Sequence, residues 1–292
     1  MKNFIIVLFL SFSGLVFSQK TERLNLKKYL VAKLSDSLNE SSALNIFNGD
    51  LFSLNDSGNS AELFKINPKN GKLEKIIPTG LINKDWEALT NDGQSFYIGD
   101  IGNNPGTRKD LTIFKVPYFN GKAIQDSIQK INFEYEDQKE FITKYQNNNF
   151  DAESLIYLNG KLHVFSKEWA SQNVSNYVID SNVSTLQQAQ KLETFHTGYV
   201  VTDASYYDGK LYIVGYTKKT SVFMSVFEET APGIFFKGKH KKYKLGTTIK
   251  AGQIEGIAVN ADGVYISVEA FKIPMKTTPQ KLYFIPMKRI TL

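Results

Sequence analysis

Three segments of this chain repeat one pattern at long range: DWEALTNDGQSFYIGD from Asp85, DAESLIYLNGKLHVFSK from Asp151 and QIEGIAVNADGVYISVE from Gln253. In each, a glutamate (Glu87, Glu153 or Glu255) stands ten residues before a ring (Tyr97, His163 or Tyr265). Two looser copies extend the series. TDASYYDGKLYIVGY puts Asp203 nine residues before Tyr212, and NESSALNIFNGDLFSLND puts Ser42, with Glu40 as the alternative, ten residues before Phe52. Starts near residues 40, 87, 153, 203 and 255 give a period near fifty, which is the mark of a repeat architecture.

Within each copy a short apolar and aromatic run leads into Asn-Gly, Asp-Gly or the related Asp92-Gly93, and a second run alternates behind it. That is the pattern of a β-hairpin with a tight turn. Third strands are expected at residues 61–66, 111–116, 221–227 and 281–285, and fourth ones at 72–77, 128–135 and 241–245. Four antiparallel strands per repeat make a propeller blade. The expected fold is therefore all-β, one β-propeller of five blades, with residues 29–34 closing the last blade. Six blades follow if residues 134–149 hide another. The best helical candidate, residues 185–194, is short and reads equally as loop or strand.

Residues 1–18 have a charged start at Lys2, an apolar run and a small-residue end at Ser18, the pattern of a secretory leader. The domain then spans residues 19–292, and the expected location is outside the cytoplasm, secreted or periplasmic. The run is too short to span a membrane, and no second one of spanning length follows. Cysteine is absent, so stability must come from a large core, consistent with a hydrophobic content of 42%. The net charge of +6 is spread out apart from KGKHKKYK at residues 237–244, which reads as a lysine-guarded strand edge first and as a contact for phosphates or anionic glycans second. No nucleic-acid motif accompanies it, so no nucleic-acid partner is expected.

The inner strand of each propeller blade lines the channel, and its neighbour runs antiparallel. Glu87, Glu153, Asp203 and Glu255 should therefore meet at one mouth together with the strand ends Asp56, Asp100, Lys167 and Glu269. Crowded carboxylates gain proton affinity unless a positive charge answers them. Either a cation or a lysine fills that role. Oxygen ligands without cysteine point to calcium or magnesium before zinc or iron. The loops NDSGN and GDIGNN add oxygen donors and read equally as ordinary turns. Trp86 and Trp169 flank the expected mouth as stacking surfaces or as covers for the next blade. No G-x-S-x-G, P-loop, G-x-G-x-x-G or EF-hand spacing is present.

NDSGNSAELFKIN, DWEALT, FYIGDIGNN, RKDLTIFKV, FDAESLIYLNGKLHVFSKEW and QIEGIAV together resemble exported bacterial β-propellers of the esterase-like phytase or SdiA-regulated group. More distantly the chain is similar to gluconolactonase and regucalcin-like propellers. That likeness implies Glu87, Glu153 and Glu255 as metal ligands, Asp100 or Asp203 as a base, and Asn103 or Asn104 as substrate contacts. With Trp86, Lys167 and Trp169 these complete the candidate binding residues. The reading favoured is a propeller, expected to be monomeric, that binds a glycan, small molecule or extracellular protein at an acidic mouth around a structural divalent cation, Ca2+ first. The alternative is a calcium-dependent hydrolase of lactones, esters or phosphoesters.

Overall fold

The computed structural model describes residues 21–273 and 276–292, so the expected leader lies outside the described residues. Strand pairing divides the chain into antiparallel units of four. The first unit runs Ser41–Phe47, Asp50–Asn55, Glu62–Ile66 and Leu73–Pro78. The second runs Trp86–Asn91, Ser95–Asp100, Leu111–Phe119 and Gln129–Tyr135, and the third Asp151–Leu158, Lys161–Lys167, Asn173–Asp180 and Gln187–His196. The fourth holds Val200–Tyr207, Lys210–Tyr216, Ser221–Glu228 and His240–Thr247. The fifth holds Gln253–Val259, Gly263–Glu269 and Lys281–Pro286, and takes its outermost strand, Leu30–Lys33, from the other end of the chain.

The innermost strands touch one another in sequence, and the fifth returns to the first. That closed circuit of first strands is a β-propeller. Apolar side chains of adjoining units interdigitate between the sheets, as Phe47, Phe52, Trp86 and Phe96 do between the first and second. Residues 185–194 fall largely in the strand Gln187–His196, because its neighbour Asn173–Asp180 offers an unpaired edge. Residues 136–150 carry turns and no strand. Among the described residues no helix is long and apolar enough to cross a membrane.

Turn chemistry sets the hairpins. Asn48-Gly49, Asn159-Gly160 and Asp208-Gly209 all have positive φ at both residues, and the flanking residues pair directly: Phe47 with Asp50, Leu158 with Lys161, Tyr207 with Lys210. These are the primed two-residue turns whose twist matches that of the strands.

Every inner strand also carries a β-bulge at one register. Pairing jumps from Ser41 to Ala43, Trp86 to Ala88, Ala152 to Ser154, Val201 to Asp203 and Ile254 to Gly256. The residues left unpaired are Ser42, Glu87, Glu153, Thr202 and Glu255. In the fourth unit the equivalent residue is therefore Thr202, ten before Tyr212, and not Asp203. Asp203 belongs to the paired ladder beside the bulge and is fully buried. Its Oδ2 accepts from the amides of Leu44 at 3.2 Å and Ile257 at 2.7 Å, and its Oδ1 from Ala204 at 2.8 Å. One carboxylate thus ties together the first, fourth and fifth units.

Replacing Asp203 by Asn presents an N–H2 where an oxygen accepts, leaving strand amides unsatisfied at about 1–3 kcal/mol each. The Asp203→Asn variant should melt on the order of 5–10 °C lower in a calorimetric scan. An unchanged melting temperature would mean that those amides find other acceptors.

Candidate functional site

A bulge places two residues against one, which turns the extra side chain out of the ladder. Four of the five bulge residues, Ser42, Glu87, Glu153 and Glu255, line a cavity of about 180 Å³ at one mouth of the channel. The fifth, Thr202, donates instead to the carbonyl of Ile254 at 2.8 Å. Asp56, Lys167, Tyr216 and Glu269, which end or directly follow the second strands, complete the rim with Asn104, Gln146, Trp169 and Gln253.

Five carboxylates and one ammonium line this cavity. Lys167 forms a buried ion pair with Glu153 Oε1, and its Nζ lies 4.8 Å from the centroid of the Trp169 ring and 5.5 Å from that of Tyr216. Burial alone would lower its pKa, but the charges around it, Glu153 foremost, hold it well above the ordinary lysine value. Glu87 Oε2 accepts from Ser42 Oγ at 3.0 Å, and Glu255 Oε1 from Gln253 Nε2 at 2.7 Å. Glu153 Oε2 is buried and has no hydrogen-bond partner.

Burial is the main cause that raises the proton affinity of these acids, with mutual repulsion added. Glu87 and Glu153 are raised well above the usual glutamate range, Glu87 by burial and then by Glu153 and Asp56. Glu255 and Glu269 are each pushed up to about 8. Asp85, half-buried beside the cavity, rises to about 6, from burial and then the charges of Asp56 and Asp151.

The tightest convergence of oxygens is not the expected glutamate trio. Asp56, Asp85 and Glu87 bring one carboxylate oxygen each to within 4.8 Å of one another. A Cβ added to Gly102 would come within 2.4 Å of Asp85 Oδ2 and 2.8 Å of Glu87 Oε1, so a side chain there would push both carboxylates aside. Glu153 and Glu255 share the cavity with Glu87, but Glu153 is engaged with Lys167 and Glu255 with Gln253.

Asp85 escaped the sequence reading. Its signal was present in DWE, two residues before Glu87, but the alternation of a regular strand would have faced it with Glu87 only if no bulge intervened. Asp100 is equivalent to Asn55 and Ser166, one residue short of the rim positions Asp56 and Lys167. It is buried, pairs with Arg108 Nη2 at 2.8 Å and accepts from the Lys84 amide. Neither Asp100 nor Asp203 reaches the cavity.

Trp86 does not flank the mouth either. It sits opposite Glu87 in the alternation and is fully buried among Phe47, Phe52 and Phe96. Trp169 does line the cavity, held by a bond of 2.8 Å from its Nε1 to Asp151 Oδ2. Asn103 is spent on structure: its amide donates to Asp151 Oδ1, its Nδ2 to Phe150 O, and its Oδ1 accepts from the Arg108 amide. Asn104 lines the cavity with an Oδ1 that has no partner.

Groups whose folded pKa is raised stabilise the fold below their unfolded pKa and lose that contribution as pH rises through the folded value. With Glu255 and Glu269 near 8, stability in a chelating buffer should fall steadily between about pH 4.5 and 8.5. Calorimetric melting temperatures across that range check the sign, and a rise toward pH 8 would contradict the burial of these acids.

No family model matches the chain, and no curated protein matches it. Among solved structures, hydrazine synthase of Kuenenia stuttgartiensis is similar over 80% of this chain and 56% of that one, at 12% identity and a TM-score of 0.41. This chain thus spans a little over half the length of that protein. A putative oxidoreductase (glucose dehydrogenase) of Thermus thermophilus covers 88% of this chain and 98% of its own, at 11% identity and a TM-score of 0.49. A putative 6-phosphogluconolactonase of Bacteroides uniformis covers 88% and 71%, at 12% identity and a TM-score of 0.37.

Proposed function

We propose that this protein is an exported β-propeller that binds a divalent cation, calcium first, at its acidic channel mouth and uses it to hold a ligand there. The leader-like residues 1–18 support export, and the motifs quoted above support kinship with the esterase-like phytase group. The observation that carries the reading is the meeting of Asp56, Asp85 and Glu87 within 4.8 Å, against a glycine whose Cβ would collide with two of them.

An all-oxygen donor set suits a hard cation. Glu153 Oε2, buried beside this group without a partner, is a further anionic oxygen whose burial a positive charge would offset. Bound there, the cation would neutralise the carboxylates and offer its remaining positions to an oxygen of the ligand. The cavity has room for several water-sized groups, so it suits the polar end of a ligand rather than a large apolar body. Trp169, Lys167 and Asn104 are the residues placed to contact it. The hydrolase reading draws less support, because Asp100 and Asp203, its proposed bases, are committed to Arg108 and to strand amides.

A cation that binds only the folded state raises the melting temperature by mass action, by about 2.7 kcal/mol at a hundredfold excess over Kd. Adding calcium after chelation should therefore raise the midpoint on the order of 5–10 °C with saturation, and Asp85→Asn should abolish the rise. The absence of any shift with calcium, magnesium or manganese would sink the proposal.

A further inference from the structure

A second cavity lies away from the channel. The outermost strand of the second unit pairs in parallel with that of the third (Phe133 with Gln187, Glu134 with Gln188, Tyr135 with Ala189), fusing the two sheets. The connection from Tyr135 to the inner strand at Asp151 must then pass over the seam. It leaves a cleft of about 650 Å³ beneath it, within the range of sites that enclose small organic ligands.

The cleft is charge-balanced: Asp137, Glu140 and Glu168 are matched by Lys139, Lys144 and Lys191. Lys191 pairs with Asp137, Lys144 with Glu140 at 3.8 Å, and Lys139 donates to the carbonyl of Glu136 at 2.6 Å. Glu168 is buried and accepts from the hydroxyls of Ser166, Ser171 and Ser175. Three acids matched by three lysines leave no net charge to select an anion or a cation.

What remains is neutral hydrogen-bonding capacity beside an aromatic face. Asn149 and Asn173 are each fixed through Oδ1, by the Ser171 amide at 3.1 Å and by His196 Nδ1 at 2.7 Å, which leaves each Nδ2 to the cleft. Phe150, half-buried, lines the same space, while the Tyr177 ring beside it is buried with the Lys191 Nζ 5.2 Å from its centroid. Fixed amides beside a ring face are the means by which hydroxyl-rich rings are held: the amides meet the hydroxyls and the ring meets the C–H face.

We propose that this cleft between the second and third units binds a neutral oligosaccharide. None of its lining residues belongs to the Asp56, Asp85 and Glu87 group, so the proposal stands apart from the cation site.

The test is calorimetric titration of the purified protein with cellotriose, maltotriose, laminaritriose and chitotriose, in calcium and again in chelator. At least one sugar should bind saturably, with the same affinity in both buffers. Phe150→Ala should weaken it about tenfold, the measure of a lost ring contact. Because Phe150 also packs on Tyr135, Asn173→Ala serves as a second variant, expected to weaken binding at an unchanged melting temperature. No binding by any of the four sugars, affinity unchanged in both variants, or binding confined to sulfated sugars or to peptides would overturn the proposal.

Discussion

One backbone irregularity, repeated five times, organises this molecule. Each inner strand leaves its ladder for a single residue at the same height, and that residue is Ser42, Glu87, Glu153, Thr202 or Glu255. A regular strand would alternate its side chains between the two faces of the sheet, and both faces are covered by neighbouring units. The bulge frees one side chain per unit from that alternation and turns it to the mouth, where four of the five line one cavity. Residues beyond it resume the ladder, so Leu44, Asp203 and Ile257 can form the contact that locks three units together.

Gathering carboxylates this way has an electrostatic cost, since each loses hydration and faces like charges. The fold meets part of it with Lys167, whose ammonium is enclosed by Glu153, Trp169 and Tyr216. One cation among five lining carboxylates leaves the rest to be neutralised by protons or by a metal ion. The raised pKa values of Glu255 and Glu269 record the proton solution. Metal ligands must be deprotonated, so at the cation site proposed above ions would compete with protons for these oxygens, and rising pH would favour the metal.

How much of this was legible depended on whether a feature followed the repeat or departed from it by a residue. Turn dipeptides and alternating runs announced the hairpins, because Asn-Gly and Asp-Gly tolerate positive φ cheaply. The ten-residue spacing from Glu87, Glu153 and Glu255 to the following ring survives as the distance from bulge to second strand. In the fourth unit an acidic residue one place beyond Thr202 drew attention to itself, and a shift of one residue moves a side chain to the opposite environment. Asp100 misled for the same reason, lying one place before the rim. Asp85 was overlooked because it and Glu87 lie against Gly102, where a Cβ would come within 2.4 Å of Asp85 Oδ2, a contact that no local pattern announces. The lateral cleft had no local signal: it depends on two outer strands pairing in parallel across units.

The mouth and the cleft meet along one short stretch of chain. Lys167 and Trp169 line the mouth, whereas Glu168 and Ala170 line the cleft, so the turn that follows the strand Lys161–Lys167 sends neighbouring side chains to opposite sides. Each side is anchored. Trp169 is tied to Asp151 by its Nε1, and Glu168 is held by three serine hydroxyls. The two sites proposed above would share this wall while answering to different chemistry, one to cations and pH, the other to hydroxyl groups.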